Sequence, residues 1–307
     1  MRRSILLAAW LGSWLAPGLA PGSDGFDREE DVIYGRKSGV ALTMDVFTPR
    51  KGANGAAAVL IVSGGYYSSH DAINALFFGP LIDRGYTVFA VVHGSQPQFT
   101  VPEIVADVNR AIRFIRHHAR EYAVDPARIG VTGASAGGHL SLMLGTAGGQ
   151  ANPEARDPVD REPSRVGAVA CFFPPTDFLN YGAPGREMVQ AKDFGRTYRP
   201  AFAFRELDKA TNLWVTVSDP DRLRAIGREI SPITHVTADD APTLILHGSA
   251  DTLVPLQQSE AIVARLKEAG VDAKLVVKPG AGHGWLGMGG DMASIADWFD
   301  AHLKAAP

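Results

Sequence analysis

Six apolar runs, each too continuous for a strand with one face in water, constrain the fold of this 307-residue chain more than any other feature. They span residues 57–62, 86–92, 129–132, 166–173, 243–246 and 274–277. Side chains alternate sides along a strand, so an unbroken row of Val, Ile, Leu and Ala needs apolar cover on both faces of the sheet. Segments of helical period lie between the runs. The clearest covers 102–122, with Ile104, Val105, Val108, Ala111, Ile112 and Ile115 on one stripe and Thr100 and Glu103 at capping-box spacing. Such alternation predicts an α/β fold: a mostly parallel central sheet with helices on both faces and functional groups at the carboxyl ends of strands. Ahead of it, 31–36 and 41–47 are strand-like runs separated by Lys37, Ser38 and Gly39, which predicts an N-terminal hairpin.

No repeat, low-complexity tract or linker divides the chain, so 23–307 is expected to form one domain. Residues 177–230 break the alternation, with Pro184, Gly185, several aromatics and a mixed-charge stretch over 219–229. They read as an insertion after the sixth strand, and both a substrate-shaping lid and a pair of ordinary surface helices fit that composition. The first 22 residues run from Arg2 and Arg3 through an apolar stretch to small residues at Ala20 and Gly22, the order of a signal peptide. The apolar part has about half of the ~20 residues a membrane span needs, so removal is expected, with a secreted or periplasmic location and no stable membrane anchor. A net charge of −3 supplies no basic field for nucleic acid. Cys171 is the only cysteine; it lies within an apolar run, where a buried small hydrophobe is expected rather than a nucleophile.

Residues 128–140 read RIGVTGASAGGHL, a strand followed at once by Gly133, Ala134, Ser135, Ala136 and Gly137 and then a helix. Small residues two positions either side of a serine permit a sharp strand-to-helix turn that forces its hydroxyl outward. This makes Ser135 the candidate nucleophile, and the amide of Ala136, at the helix start, a candidate oxyanion donor. Serine needs a positioned base, normally a histidine oriented by a carboxylate. Of nine histidines, His247 and His283 have suitable surroundings. His283 sits in the glycine-rich loop PGAGHGW and is taken as the base; His247, in LILHGSADTLVP, is taken as structural, with Asp251 brought out from the strand end four residues later as the acid. Asp251 alone would read as a turn aspartate, and Asp239, Asp240 and Asp272 follow no strand end directly. The remaining oxyanion donors are expected after the strand 57–62, in Ser63, Gly64, Gly65, Tyr66 and Tyr67, with the amides of Gly65 and Tyr66 as candidates. Tyr67, His93 and Trp285 are candidate substrate contacts, the aromatics having packing as their alternative role.

With these motifs the chain resembles the α/β-hydrolase superfamily over roughly 31–305, and within it secreted bacterial feruloyl and acetyl esterases and prolyl-oligopeptidase-like hydrolases. The resemblance rests on GASAGG, HGSADTLVP, GAGHGW and SGGYY. The order Ser, Asp, His is the one this fold uses. Related esterases often carry HGG where this chain has Ser63, Gly64 and Gly65. The resemblance implies a serine carboxylesterase working through an acyl-enzyme, without cofactor, on a small-molecule or carbohydrate ester, with a preference for short-acyl, acetyl or feruloyl substrates. A metal is not expected, because no HExxH pair or Cys/His cluster has ligand spacing. A prolyl-oligopeptidase-like peptidase is the enzymatic alternative, although the N-terminus has no room for a propeller; a non-catalytic binding protein of the same fold is the other.

Overall fold

The structure, a computed structural model, describes residues 25–191 and 198–303. Its strands are β1 (Phe26–Lys37), β2 (Val40–Pro49), β3 (Ala57–Val62), β4 (Thr87–Val92), β5 (Ile129–Ala134), β6 (Ala168–Phe172), β7 (Arg205–Asp208), β8 (Leu213–Thr216), β9 (Thr243–Gly248) and β10 (Ala273–Lys278). The helices are α1 (Gly79–Ile82), α2 (Val101–His117), α3 (Ala136–Ala147), α4 (Pro220–Glu229), α5 (Gln257–Glu268) and α6 (Met288–His302). Eight strands form one sheet in the order β1-β2-β4-β3-β5-β6-β9-β10. The β1–β2 hairpin joins it antiparallel through β2 and β4, and every other pairing is parallel. The six apolar runs are therefore the six parallel strands, and the sheet is that of an α/β-hydrolase fold. The run 274–277 departs from the expected double burial: it forms β10 at the sheet edge, where Lys274 and Val277 are exposed because the strand has a neighbour on one side only.

Strands β3, β4, β5, β6 and β9 are buried on both sides because two cores flank them. Val59 and Ile61 of β3 point into a cluster with Ile104, Val108 and Ile112 of α2, Leu140 and Leu144 of α3 and Ile262 and Leu266 of α5. Their neighbours Ala58, Leu60 and Val62 point the other way, onto Leu81 and Ile82 of α1 and Met292, Ile295 and Phe299 of α6. Each such side chain withdrawn from water contributes roughly 1.5–3 kcal/mol, which is why the central strands tolerate no polar alternation. Cys171 is fully buried, and burial pushes its thiol well above the ordinary range.

The capping box is present: Glu103 accepts from the Thr100 amide at 2.7 Å. Helix α2 stops at His117 rather than at residue 122, because its buried stripe ends at Ile115 and the chain then turns, with Ala123 at φ 53° and the Val124 amide bonded to the Ala119 carbonyl. The hairpin is longer than its sequence suggests, since β1 begins at Phe26, where Phe26 packs edge-on against Phe47.

Between β6 and β9 the chain leaves the sheet. Its described part holds a 3-10 turn at Arg199–Phe202, the β7–β8 hairpin and α4. Phe178, Tyr181, Phe202, Phe204 and Ile226 bury their side chains in the same core as α2 and α3, so this insertion is packed onto the domain. The segment 1–22 lies outside the described residues. No helix among the described residues is long and apolar enough to cross a membrane.

Strand order reverses at β3: the chain passes from β3 to β4 on one side and returns to place β5 on the other. Loops leaving β3 and β5 therefore diverge and open a crevice at their carboxyl ends. Ser63 follows β3 and Ser135 follows β5.

Candidate active site

Ser135 sits between β5 and α3 with φ 56° and ψ −118°, a conformation that costs a non-glycine residue about 1–3 kcal/mol. The flanking glycines explain how the turn closes. A Cβ on Gly133 would lie 2.6 Å from the Gly137 backbone, and one on Gly137 would lie 2.5 Å from the Ile61 carbonyl oxygen. Only hydrogen fits at either position, so the motif spacing is a packing requirement of the turn. The Ser135 amide is held by the Phe172 carbonyl at 3.0 Å.

Chain folding brings His283 and Asp251 to this serine. Nε2 of His283 is 2.9 Å from Ser135 Oγ, and its Nδ1 is 2.7 Å from Asp251 Oδ2. An ionised carboxylate only accepts, so Nδ1 carries the proton and Nε2 presents its lone pair to the hydroxyl. The loops bearing the two side chains are joined along their backbones: the Ser249 amide donates to Lys278 O at 3.0 Å and the Ala250 amide to Ala281 O at 2.8 Å. Asp291 anchors the base loop from behind, accepting from Trp285 Nε1 at 2.7 Å and from Lys278 Nζ at 2.5 Å. Phe173, held at φ 34° after β6, places its ring 4.4 Å from the His283 ring.

Asp251 is buried, and burial alone would raise its pKa. Side-chain hydrogen bonds from His247 and His283, the charge of His283 and the Val254 amide outweigh this and hold the carboxyl well below the usual carboxylate range. It is therefore ionised whenever His283 could take a proton. His247 has the structural character its sequence context suggests: it is fully buried, with Nδ1 2.6 Å from Ser259 Oγ and Nε2 2.9 Å from Val254 O. Its Nε2 also comes within 3.3 Å of Asp251 Oδ2, a proximity with no signal in the sequence beyond the i, i+4 spacing.

The amides of Ala136, Gly65 and Tyr66 donate to no acceptor among the described residues. Gly65 and Tyr66 form the centre of a tight turn closed by reciprocal Gly64–Tyr67 backbone bonds, with φ 56° and 66°. Tyr66 tolerates the left-handed conformation because both of its ends are tied. Its carbonyl accepts from the Gln96 amide at 3.1 Å and its hydroxyl meets His139 Nδ1 at 3.3 Å. Burial lowers the His139 pKa to about 4, and its Nε2 donates to the Ile230 carbonyl, linking the elbow helix to the end of the insertion. Tyr198, from the insertion, lies directly on Gly65: a Cβ there would stand 2.5 Å from its ring.

Of the proposed substrate contacts, Tyr67 is 59% exposed beside the turn, and Trp285 is half-buried against Phe172 and Phe173. His93 is a correction. It is 3% exposed, with Nδ1 engaged by Gly94 O and Nε2 by Ser63 Oγ, both at 2.8 Å, and offers no free edge to a substrate. Strand β4 delivers it beneath the loop after β3 rather than into the crevice. Phe173 and Tyr198 are neighbours of the site that sequence reasoning missed, and neither carries a local motif; Ser63 and His93 were each singled out, but their pairing had no signal in the sequence.

Among the described residues, one group of side chains has metal-ligand proximity: Asp31, Asp45 and His70. Arg28 already pairs with Asp45 at 2.5 Å, so the buried carboxylate has its countercharge. Two surface cavities, of about 550 and 280 Å³, are lined by other residues than the triad; the larger lies between Arg116, Arg120 and Arg128, by the amino-terminal ends of the strands.

The BD-FAE family model matches residues 44–266, from β2 to α5. The chain is 28% identical over 247 residues to the probable carboxylic ester hydrolase LipM of Mycobacterium tuberculosis, covering 79% of this chain and 52% of LipM. It is 29% identical over 264 residues to the ethyl acetate hydrolase of Pseudomonas putida, covering 84% and 76%. The chain spans about half the length of the mycobacterial relatives LipM, LipC and LipQ. A truncated carbohydrate esterase from gut microbiota superposes with a TM-score of 0.72 at 26% identity, covering 92% of this chain and 99% of that one. With the family match spanning the strands from β3 to β9, the nucleophile elbow and the acid loop, the chain belongs to the BD-FAE family of the α/β-hydrolase superfamily.

Proposed function

We propose that this protein is a serine carboxylesterase that hydrolyses carboxylic esters through an acyl-enzyme on Ser135. The observation that carries the reading is the unbroken hydrogen-bond chain Ser135–His283–Asp251. Ser135 Oγ attacks the ester carbonyl while His283 Nε2 takes the hydroxyl proton. Asp251, ionised and bonded to Nδ1, stabilises the imidazolium so formed. The carbonyl oxygen becomes an oxyanion facing the amides of Ala136, Gly65 and Tyr66; a donor of this kind is worth roughly 3 kcal/mol in the transition state. His283 returns the proton to the leaving alcohol, and water repeats the sequence on the acyl-enzyme.

Short-acyl and carbohydrate-linked esters, acetyl or feruloyl, are the substrates we infer. The relatives named as ethyl acetate hydrolase and carbohydrate esterase favour this reading. So does the exposed Tyr67 ring beside the turn, which offers a stacking surface for a sugar or an aromatic acid. Tyr198 against Gly65 supports reading the insertion 177–230 as a cover over one side of the site. Export to the periplasm or medium follows from the signal-like order of residues 1–22.

A fluorophosphonate is expected to modify Ser135 in the wild-type protein and to leave Ser135→Ala unlabelled. Acetylated xylan, methyl ferulate, p-nitrophenyl acetate and longer acyl esters compared side by side would rank substrates, with acetyl and feruloyl esters fastest. Absence of labelling, or amide turnover exceeding ester turnover, defeats the proposal. N-terminal sequencing of the exported protein tests localisation; an intact Met1 in a cytosolic fraction refutes it.

A further inference from the structure

Two Ser–His pairs that flank the crevice join a hydroxyl to Nε2 at nearly equal length, unlike the buried Ser259–His247 pair, which meets at Nδ1. Ser135 Oγ lies 2.9 Å from His283 Nε2, and Ser63 Oγ lies 2.8 Å from His93 Nε2. Their second nitrogens differ. His283 Nδ1 faces the carboxylate of Asp251, whereas His93 Nδ1 faces the carbonyl oxygen of Gly94 at 2.8 Å. A carbonyl only accepts, so His93 carries its proton on Nδ1 and receives the Ser63 hydroxyl proton at Nε2 as a hydrogen bond. Burial lowers the His93 pKa to about 4, and no carboxylate bonds to the ring to compensate a cation. This pair cannot do what Ser135 and His283 do; it can hold a position.

What it holds is the turn presenting the Gly65 and Tyr66 amides. Ser63 is the residue from which that turn departs, and it is gripped twice. Its carbonyl accepts from the Gly137 amide, on the helix that follows the nucleophile, at 3.3 Å, and its hydroxyl donates to His93. The far end of the loop returns to the same histidine: the His93 amide donates to Ser68 Oγ at 3.2 Å, and Ser68 Oγ donates to Val62 O at 2.5 Å. The Gly94 peptide is fixed on both sides, its carbonyl by His93 and its amide by Asp107 at 3.0 Å, with Lys37 2.6 Å from the same carboxylate oxygen.

We infer that Ser63 and His93 are positioning residues that clamp both ends of the loop 63–68 and so fix the Gly65 and Tyr66 amides relative to Ser135. The inference rests on the ester-hydrolase reading above. Ser63, standing where related esterases often carry the histidine of HGG, takes its imidazole from the end of β4 instead.

Steady-state kinetics on Ser63→Ala, His93→Phe, His93→Gln and the Ser63→Ala/His93→Phe double variant test it, with Tm recorded for each. Ser63→Ala removes one half-exposed hydroxyl and is expected to fold. It should lower kcat roughly 10- to 100-fold with KM within about threefold, because misplacing a donor by under an ångström penalises the transition state more than the bound ester. The double variant should be no slower than the worse single. His93→Gln, whose amide restores an acceptor near the position of Nε2, should keep part of the kcat that His93→Phe loses. Affinity for a trifluoromethyl ketone, which fills the oxyanion site, should fall in parallel. A Ser63→Ala enzyme with wild-type kcat, additive losses in the double variant, or phosphonate labelling of Ser63 in Ser135→Ala overturns the inference. A wild-type protein that neither hydrolyses esters nor takes up fluorophosphonate defeats the parent reading instead.

Discussion

Gly248 and Ala281 meet backbone to backbone: a Cβ on Gly248 would lie 2.3 Å from the Ala281 carbonyl oxygen and 2.5 Å from that of Gly282. The loops that carry the acid and the base are thus in register because one residue of β9 has no side chain. Gly248→Ala should push the loops apart, cost about 1–3 kcal/mol in stability and lower kcat by an order of magnitude or more. Chemical denaturation and ester turnover on the same preparation would check both; a variant with normal activity would show that the loops are not coupled.

Asp251 accepts from His283 Nδ1 through Oδ2 and from the Leu253 and Val254 amides through Oδ1. Asp251→Asn keeps the volume but favours the wrong tautomer of His283, and kcat at neutral pH should fall by roughly 10³–10⁴-fold with the fold retained. Circular dichroism and turnover of an activated acetate ester decide this. Near-normal activity would mean that another carboxylate serves the histidine.

The strain at Ser135, φ 56° and ψ −118°, is carried by a residue whose hydroxyl is required there. Ser135→Gly should relieve it and raise stability by about 1 kcal/mol while abolishing turnover, whereas Ser135→Ala abolishes turnover without that gain. Scanning calorimetry separates the two variants, and equal Tm values would refute stored strain at the elbow.

Burial lowers the pKa of His93 and of His139 from 6.5 to about 4. The unfolded chain then binds more protons than the native protein between those values, so stability falls as pH drops from about 6.5 towards 4. Asp107 opposes this: burial, acting against Lys37, raises its pKa from 3.8 to about 6, so its contribution weakens the native state as pH rises through the same window. Burial also raises the Asp240 pKa, by a smaller shift, so the two histidines outweigh the two carboxylates in the upper part of this window and leave a net loss on acidification there, at about 1.4 kcal/mol per pH unit for each uncompensated proton. Urea unfolding at pH 7.5, 6 and 5 should show the midpoint decreasing. In His93→Gln the slope should be nearly cancelled, leaving His139 and Asp107 to offset each other.

The parallel sheet, its two helical layers and the nucleophile turn were legible in the chain because each rests on local rules. Uninterrupted apolar runs demand cover on both faces, and the spacing of Gly133, Ser135 and Gly137 follows from the turn those residues share. His283 and Asp251 could be selected by loop context and chain order, but their hydrogen bonds to each other and to Ser135 depend on β9 lying beside β10, a long-range pairing that no local pattern encodes. Tertiary structure alone decided that His93 passes beneath the loop after β3 instead of entering the crevice, and that Tyr198 of the insertion covers Gly65. Those arrangements arise where strand order reverses, so that residues far apart in sequence become neighbours through the shared sheet.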